Sequence, residues 1–144
     1  MCVEIKASGF SDLSQALKLD REAFGPDAWT ILDYLGVFSE ESVRKFTARV
    51  DGRFAGFAAA EFDSEEEAVC LMTLAVRPEI RRRGLGMAFL HRCETAFGAK
   101  PAYLYVDSDN QSAIRLYEKS GYRKTGIIPG YYMNGHDAII MKKP

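Results

Sequence analysis

Residues 68–88 constrain the fold more tightly than any other stretch. Ala68-Val69-Cys70-Leu71-Met72-Thr73-Leu74-Ala75-Val76 is almost unbroken apolar sequence, and Pro78 ends it. Such a run reads as a central strand covered on both faces. Arg81-Arg82-Arg83-Gly84-Leu85-Gly86-Met87-Ala88 follows, and from Leu85 the period changes. Leu85, Phe89, Cys93, Ala96 and Phe97 share one helical face, with Gly98 as a stop. A strand that turns through glycines into a helix leaves the first helical N–H groups pointing outward, where the helix dipole adds positive potential. Glycine lets the backbone approach a ligand without Cβ collisions. Three arginines at the rim add charge and bidentate donors. The turn is therefore an anion site suited to a pyrophosphate.

Two other nucleotide patterns fail here. A Walker loop ends in Gly-Lys-Ser/Thr, but Met87 and Ala88 follow Gly86. A dinucleotide fingerprint needs Gly or Ala three residues after its second glycine, and Phe89 occupies that place. On these residues alone, the alternative is a plain strand-to-helix turn with solvated arginines.

The rest of the chain fills in an α/β (α+β) layout. Val3–Lys6 alternates as a first strand. Ser11 is a candidate N-cap for a helix carrying Leu13, Ala16, Leu17 and Phe24, closed by Gly25-Pro26. A second helix is expected over 28–38. Strands around Phe46–Val50 and Phe54–Phe62 flank the turn signal Asp51-Gly52, and the acidic run 64–67 reads as an exposed turn. Ala102–Val106 is another strand. Asn110 caps a helix through Ala113, Ile114 and Tyr117, closed by Gly121. Two last strands are expected near 122–128 and 137–142, with Asn134-Gly135 a tight turn between them. Strand–helix alternation from Ala68 to Gly121 implies parallel pairing, and the flanking hairpins imply antiparallel pairing. The expectation is a mixed, mostly antiparallel sheet of about seven strands with helices on both faces.

Length and charge bound the function. At 144 residues the chain fits one domain, 1–144, large enough to bury its own core. With 19 Lys+Arg against 20 Asp+Glu, it lacks the basic excess expected of a nucleic-acid or anionic-lipid binder. No apolar run is long enough for a membrane span, and the start lacks a secretion pattern. Three widely spaced cysteines, Cys2, Cys70 and Cys93, support neither a disulfide framework nor a zinc site, so no metal is expected. A cytoplasmic protein is the default reading.

Arg81-x-x-Gly84-x-Gly86 after a strand resembles the coenzyme A loop of the GNAT acetyltransferases. The likeness continues through Asn110-x-x-Ala113-Ile114-x-Leu116-Tyr117-x-x-x-Gly121-Tyr122. The ending, Tyr131-Tyr132 to Met141, is similar to the RimI-type branch of N-terminal protein acetyltransferases. Residues 68–141 carry these matches at compatible spacing; the first sixty match only in layout.

The resemblance implies a fork between the two central parallel strands, with acetyl-CoA entering one side and an acceptor amine the other. Leu74, Ala75 and Val76 would pair with the pantetheine arm, and Arg81, Arg82, Arg83, Gly84, Leu85, Gly86, Met87 and Ala88 would hold the pyrophosphate. Asn110 matches a cofactor-contacting asparagine. Tyr117 matches the tyrosine that gives a proton to the departing thiolate, leaving coenzyme A as product. Tyr131 and Tyr132 would wall the acceptor site. The match breaks at Tyr105, where the branch carries a glutamate base; a phenol near its reference pKa of about 10 is a poor proton acceptor. Glu61, Asp107 and His136 remain as base candidates, acting through a water. A peptide α-amine is already neutral roughly one time in seven at pH 7, a lysine about once in 2,500. That difference favours a protein or peptide N-terminus as acceptor.

Other classes stay open on the sequence. One is a GNAT enzyme for a small amine such as a polyamine or amino acid, with Asp27 or the acidic run 63–67 supplying charge. Another is a non-catalytic acyl-CoA-binding module, to which the missing glutamate points. A third is a nucleic-acid-binding domain built on Arg81-Arg82-Arg83, although duplex binding calls for a broader basic stripe. A monomer or homodimer is expected.

Overall fold

The computed structural model describes residues 2–81 and 83–144. Seven strands form one sheet: β1 (Val3–Ala7), β2 (Val43–Val50), β3 (Arg53–Asp63), β4 (Ala68–Val76), β5 (Ala102–Asp107), β6 (Arg123–Ile128) and β7 (Ala138–Lys143). Their spatial order is β1-β2-β3-β4-β5-β7-β6, so β7 slots between β5 and β6. Every pairing is antiparallel except β4 with β5, as the mixed-sheet expectation had it. The four α-helices are α1 (Leu13–Phe24), α2 (Ile31–Ser39), α3 (Leu85–Thr95) and α4 (Gln111–Lys119).

The sheet separates two cores. On one face α1 and α2 bury Leu17, Tyr34 and Phe38 against Phe54, Phe57 and Ala59 of β3. On the other, Phe89, Leu90 and Cys93 of α3 meet Ala58 and Ala60 of β3, Val69 and Leu71 of β4, and Leu104 and Val106 of β5. Alternation along β3 and β5 assigns each residue to one face. Each fully buried Phe or Leu contributes about 1.5–3 kcal/mol by leaving water.

Local boundaries differ from expectation where carboxylates intervene. Ser11 does not cap α1. Gly9 N–H donates to Asp12 Oδ2 at 3.1 Å, which tightens residues 10–12 into a 3-10 turn and delays the α-helix to Leu13. The second helix starts at Ile31 instead of Ala28. Thr30 and Asp33 form a reciprocal capping box, while buried Asp20 holds Trp29 N–H at 2.7 Å and keeps 28–30 extended. α3 ends at Thr95, three residues before Gly98. Asn110 does cap α4, accepting from Ala113 N–H at 3.2 Å. No helix among the described residues is long and apolar enough to cross a membrane.

Candidate active site

β4 and β5 pair only at Val69 with Ala102 and Cys70 with Tyr103, then part. The separation coincides with a bulge. On the β3 side, Ala60 pairs with Leu71 and Ala59 with Thr73, which leaves Met72 unmatched. A bulge bends its strand and raises local twist, so β4 swings away from β5. Beyond the fork, the β5-facing edge of Leu71–Val76 has no strand partner among the described residues. Gly56 of β3 permits the close approach of β4 and α3: a Cβ there would stand 2.8 Å from Ala75 O and 2.9 Å from Phe89 Cε2.

β4 leads into the N-terminus of α3. Gly84 takes φ +81°, the left-handed region that side chains other than glycine resist, and starts the helix. The first intrahelical bond runs from Ala88 N–H to Gly84 O at 3.1 Å, so the N–H groups of Leu85, Gly86 and Met87 precede it. Gly86 presses on α4, where a Cβ would meet Leu116 Cδ2 at 2.9 Å. Arg81 Nε donates back to Val76 O at 3.1 Å, bracing the turn, and Arg83 is exposed beside a shallow cavity that reaches Val50 and Ile80. Arg82 lies outside the described residues. This cradle fits the pyrophosphate expected from the sequence: left-handed glycine, open N–H groups and guanidinium at the rim.

Two sets of tyrosines stand on opposite faces of the fork. Tyr117 of α4 packs on the α3 side, its ring 5.9 Å from that of Tyr122. Burial pushes its hydroxyl up to about 12, so it stays protonated at any ordinary pH. On the α1/α2 face, Glu61, Cys70 and Tyr103 lie in register across three strands. Tyr103 donates to Asp63 Oδ2 at 2.6 Å, and that bond holds the Asp63 carboxyl below its usual range. Tyr105, exposed on the same face, meets Tyr131 edge-on at 5.7 Å, and Tyr131 meets Tyr132 edge-on at 5.1 Å. The strand and the final hairpin thus build a continuous aromatic wall.

The base candidates separate in space. Glu61 is half-buried beside Cys70, in the last row before the fork. Asp107 sits at the far end of β5, where it accepts from Asp109 N–H at 2.8 Å, Asn134 Nδ2 at 3.0 Å and His136 Nδ1 at 3.0 Å. His136 Nε2 faces Asp109 Oδ2 at 3.1 Å. Asp109 and Asn134 are not among the site residues expected from the sequence; Asp27, expected there only as a charge for a small-amine site, holds Met133 N–H at 2.7 Å through its carboxylate. Asp109 directly precedes the Asn110 motif, but nothing local says that it will meet a histidine 27 residues on. Asp107, Asp109 and His136 bring three metal-capable groups within 4.8 Å of one another, which sequence spacing does not reveal because His136 comes from a distant segment. Each imidazole nitrogen there already faces a carboxylate.

The sequence pattern described as the Acetyltransferase (GNAT) family matches residues 10–122. The ribosomal protein bS18-alanine N-acetyltransferase of Salmonella typhimurium is 34% identical to this chain, over 93% of it and 92% of its own length. An N-alpha-acetyltransferase of Sulfurisphaera tokodaii is 28% identical over 97% of this chain and 92% of its own. Among solved structures, the ribosomal-protein-S18-alanine N-acetyltransferase from Escherichia coli superposes with a TM-score of 0.84 and 28% identity, covering 99% of this chain and 94% of that one. Cradle, fork and paired tyrosines agree with that match across most of the sequence, and the chain belongs to the acetyltransferase (GNAT) family.

Proposed function

We propose that this chain, folded as one domain over 1–144, transfers an acetyl group from acetyl-CoA to the N-terminal α-amine of a protein or peptide. The observation that carries this reading is the fork, with a protonated Tyr117 on one face and an aromatic wall with Glu61 on the other. Relatives named for N-terminal acceptors support the choice of amine. The cytoplasm, where such N-termini emerge, suits its free cysteines.

When bound, acetyl-CoA supplies the acetyl group as a reactive thioester and leaves as coenzyme A. Leu85, Gly86 and Met87 N–H groups, with Arg81, Arg82 and Arg83, would hold the pyrophosphate; Leu74, Ala75 and Val76 would hold the pantetheine arm. Asn110 spends its side-chain oxygen on the α4 cap and keeps its amide for the cofactor. Tyr117 holds the proton that the leaving thiolate needs. Tyr131 and Tyr132 shape the acceptor side.

Glu61 takes the ammonium proton through a water. Asp107 is spent on three hydrogen bonds, and both ring nitrogens of His136 are engaged by carboxylates. Tyr105 is a wall rather than a base. Acetyl-CoA turnover against peptides with free N-termini, N-terminally blocked lysine peptides and a polyamine tests the assignment. Free N-termini should give the highest kcat/KM; faster turnover of blocked lysine peptides or the polyamine overturns it.

A further inference from the structure

Polar side chains from three segments meet at the open end of β5. Asp107 ends the strand, Asp109 stands in the loop to α4, and Asn134 and His136 belong to the hairpin between β6 and β7. His136 Nδ1 lies 3.0 and 3.1 Å from the two Asp107 oxygens, and Nε2 lies 3.1 Å from Asp109 Oδ2. A neutral imidazole carries one N–H and can satisfy one of these carboxylates; the imidazolium satisfies both. The pair selects the charged ring. The hydrogen bond to Asp107 raises the His136 pKa above its ordinary value, partial burial opposes, and the charges of Asp107, Asp109 and Asp137 reinforce the rise. Burial pushes Asp107 up, but its bonds from Asn134, Asp109 N–H and His136 outweigh that and hold its carboxyl low.

The clamp grips the segment that carries the aromatic wall. Tyr132 N–H donates to His136 O at 3.1 Å, and Gly135 N–H to Tyr132 O at 2.9 Å, so the imidazole is one backbone bond away from Tyr132. The hairpin has a second attachment at its tip, Met133 N–H on Asp27. Tyr131 leans on Tyr105.

We propose that His136 is a positioning residue: clamped as a cation between Asp107 and Asp109, it latches the 129–137 hairpin over the acceptor side of the fork and so tightens acceptor binding. The proposal rests on the acceptor reading above. The charged and titratable groups around the latch are Asp107 from β5, Asp109 from the loop, Asp137 and Tyr132 from the hairpin, and Asp27 from the α1–α2 connection. Because the folded-state pKa is raised, the latch is complete below the ordinary histidine value of about 6.5 and is lost as pH rises through the raised one.

The test compares wild type with His136→Gln, His136→Arg and Asp109→Asn. At pH 6, His136→Gln should raise the peptide KM roughly three- to fivefold, the scale of a partly exposed ion pair. kcat and the acetyl-CoA KM should change less than twofold. Taking the variant-to-wild-type ratio cancels the titration of the peptide amine itself; that ratio should fall toward one by pH 9. His136→Arg keeps a cation and should hold the low KM across the range, while Asp109→Asn should behave like His136→Gln. Hydrogen exchange of the Tyr132 and Gly135 amides, read against wild type, should accelerate in His136→Gln at pH 6 and not in His136→Arg. A flat KM ratio with unchanged exchange overturns the latch, as does a tenfold fall in kcat at constant KM, which would make His136 a base. Hairpin protection that appears only with added Zn²⁺ and disappears in chelator makes the cluster a metal site and also overturns it. If no peptide is acetylated, the acceptor reading fails, and hydrogen exchange alone judges the latch: faster exchange in His136→Gln supports it and unchanged exchange overturns it.

Discussion

Cys70 and Tyr103 are the last residues that β4 and β5 pair, and Glu61 lies in register with Cys70 on its other side. The row Glu61–Cys70–Tyr103 therefore marks the floor of the fork on the α1/α2 face. Burial raises the Cys70 thiol, which keeps it an inert neighbour there and not a nucleophile.

Glu61→Gln tests the base assignment. We expect kcat for a peptide to fall about tenfold at pH 7, the low end of general-base effects because a fraction of α-amine is already neutral. The deficit should shrink above pH 8 as the amine deprotonates unaided. Tyr105→Phe should change kcat only a few-fold. A pH-rate profile of the three proteins checks both; a Tyr105→Phe loss as deep as that of Glu61→Gln would reassign the base.

Tyr117→Phe should lower kcat by one to two orders of magnitude while leaving the acetyl-CoA KM within about twofold. Since Tyr117 stays protonated up to about pH 12, no fall in wild-type kcat between pH 7 and 9 should trace to it. Single-turnover kinetics, which isolate chemistry from product release, give the decisive comparison.

Gly56→Ala should destabilise the fold by about 1–3 kcal/mol, the usual penalty for an overpacked core position. Its Cβ would meet a backbone oxygen, Ala75 O, and that contact cannot be relieved by a side-chain rotation. Urea denaturation measures the loss. A raised acetyl-CoA KM in the folded variant would follow from the shift of Ala75 at the open edge of β4.

Asp20 links stability to pH. It is 2% exposed in the α1/α2 core, and burial pushes its carboxyl up to about 6 against the pull of Trp29 N–H and the Tyr34 hydroxyl. A raised pKa means that the folded state holds the proton more tightly, so this group favours folding below about pH 4 and the benefit is lost as pH rises through 6. Relative to wild type, Asp20→Asn should gain about 2 kcal/mol of stability between pH 4 and pH 7.5. Denaturant titrations at the two pH values check this, and equal differences at both would show that Asp20 does not titrate in that window.

Much of this architecture was written locally. The apolar run 68–76 became β4 with the same ends, Gly84-x-Gly86 became the helix-opening turn, and Asn110 became the cap of α4. Each depends on neighbours a few residues away, through periodicity, a positive φ or a capping bond, and so each is visible in the sequence. The first helix starts later than its local pattern indicates because Asp12 is claimed by partners 35 and 37 residues distant, Thr47 at 3.1 Å and Arg49.

Where the base candidates stand in space depends on tertiary structure alone. Glu61, Asp107 and His136 looked equivalent as titratable side chains. Insertion of β7 between β5 and β6 carries His136 onto Asp107, 29 positions earlier in the chain, and the clamp with Asp109 leaves neither group available for the amine. Pairing of β3 with β4 leaves Glu61 beside the fork instead. Sequence alone determined the glycine turn that opens α3, because its geometry is carried by consecutive backbone atoms. Which carboxylate is free to act depends on strand order, and no local pattern encodes that.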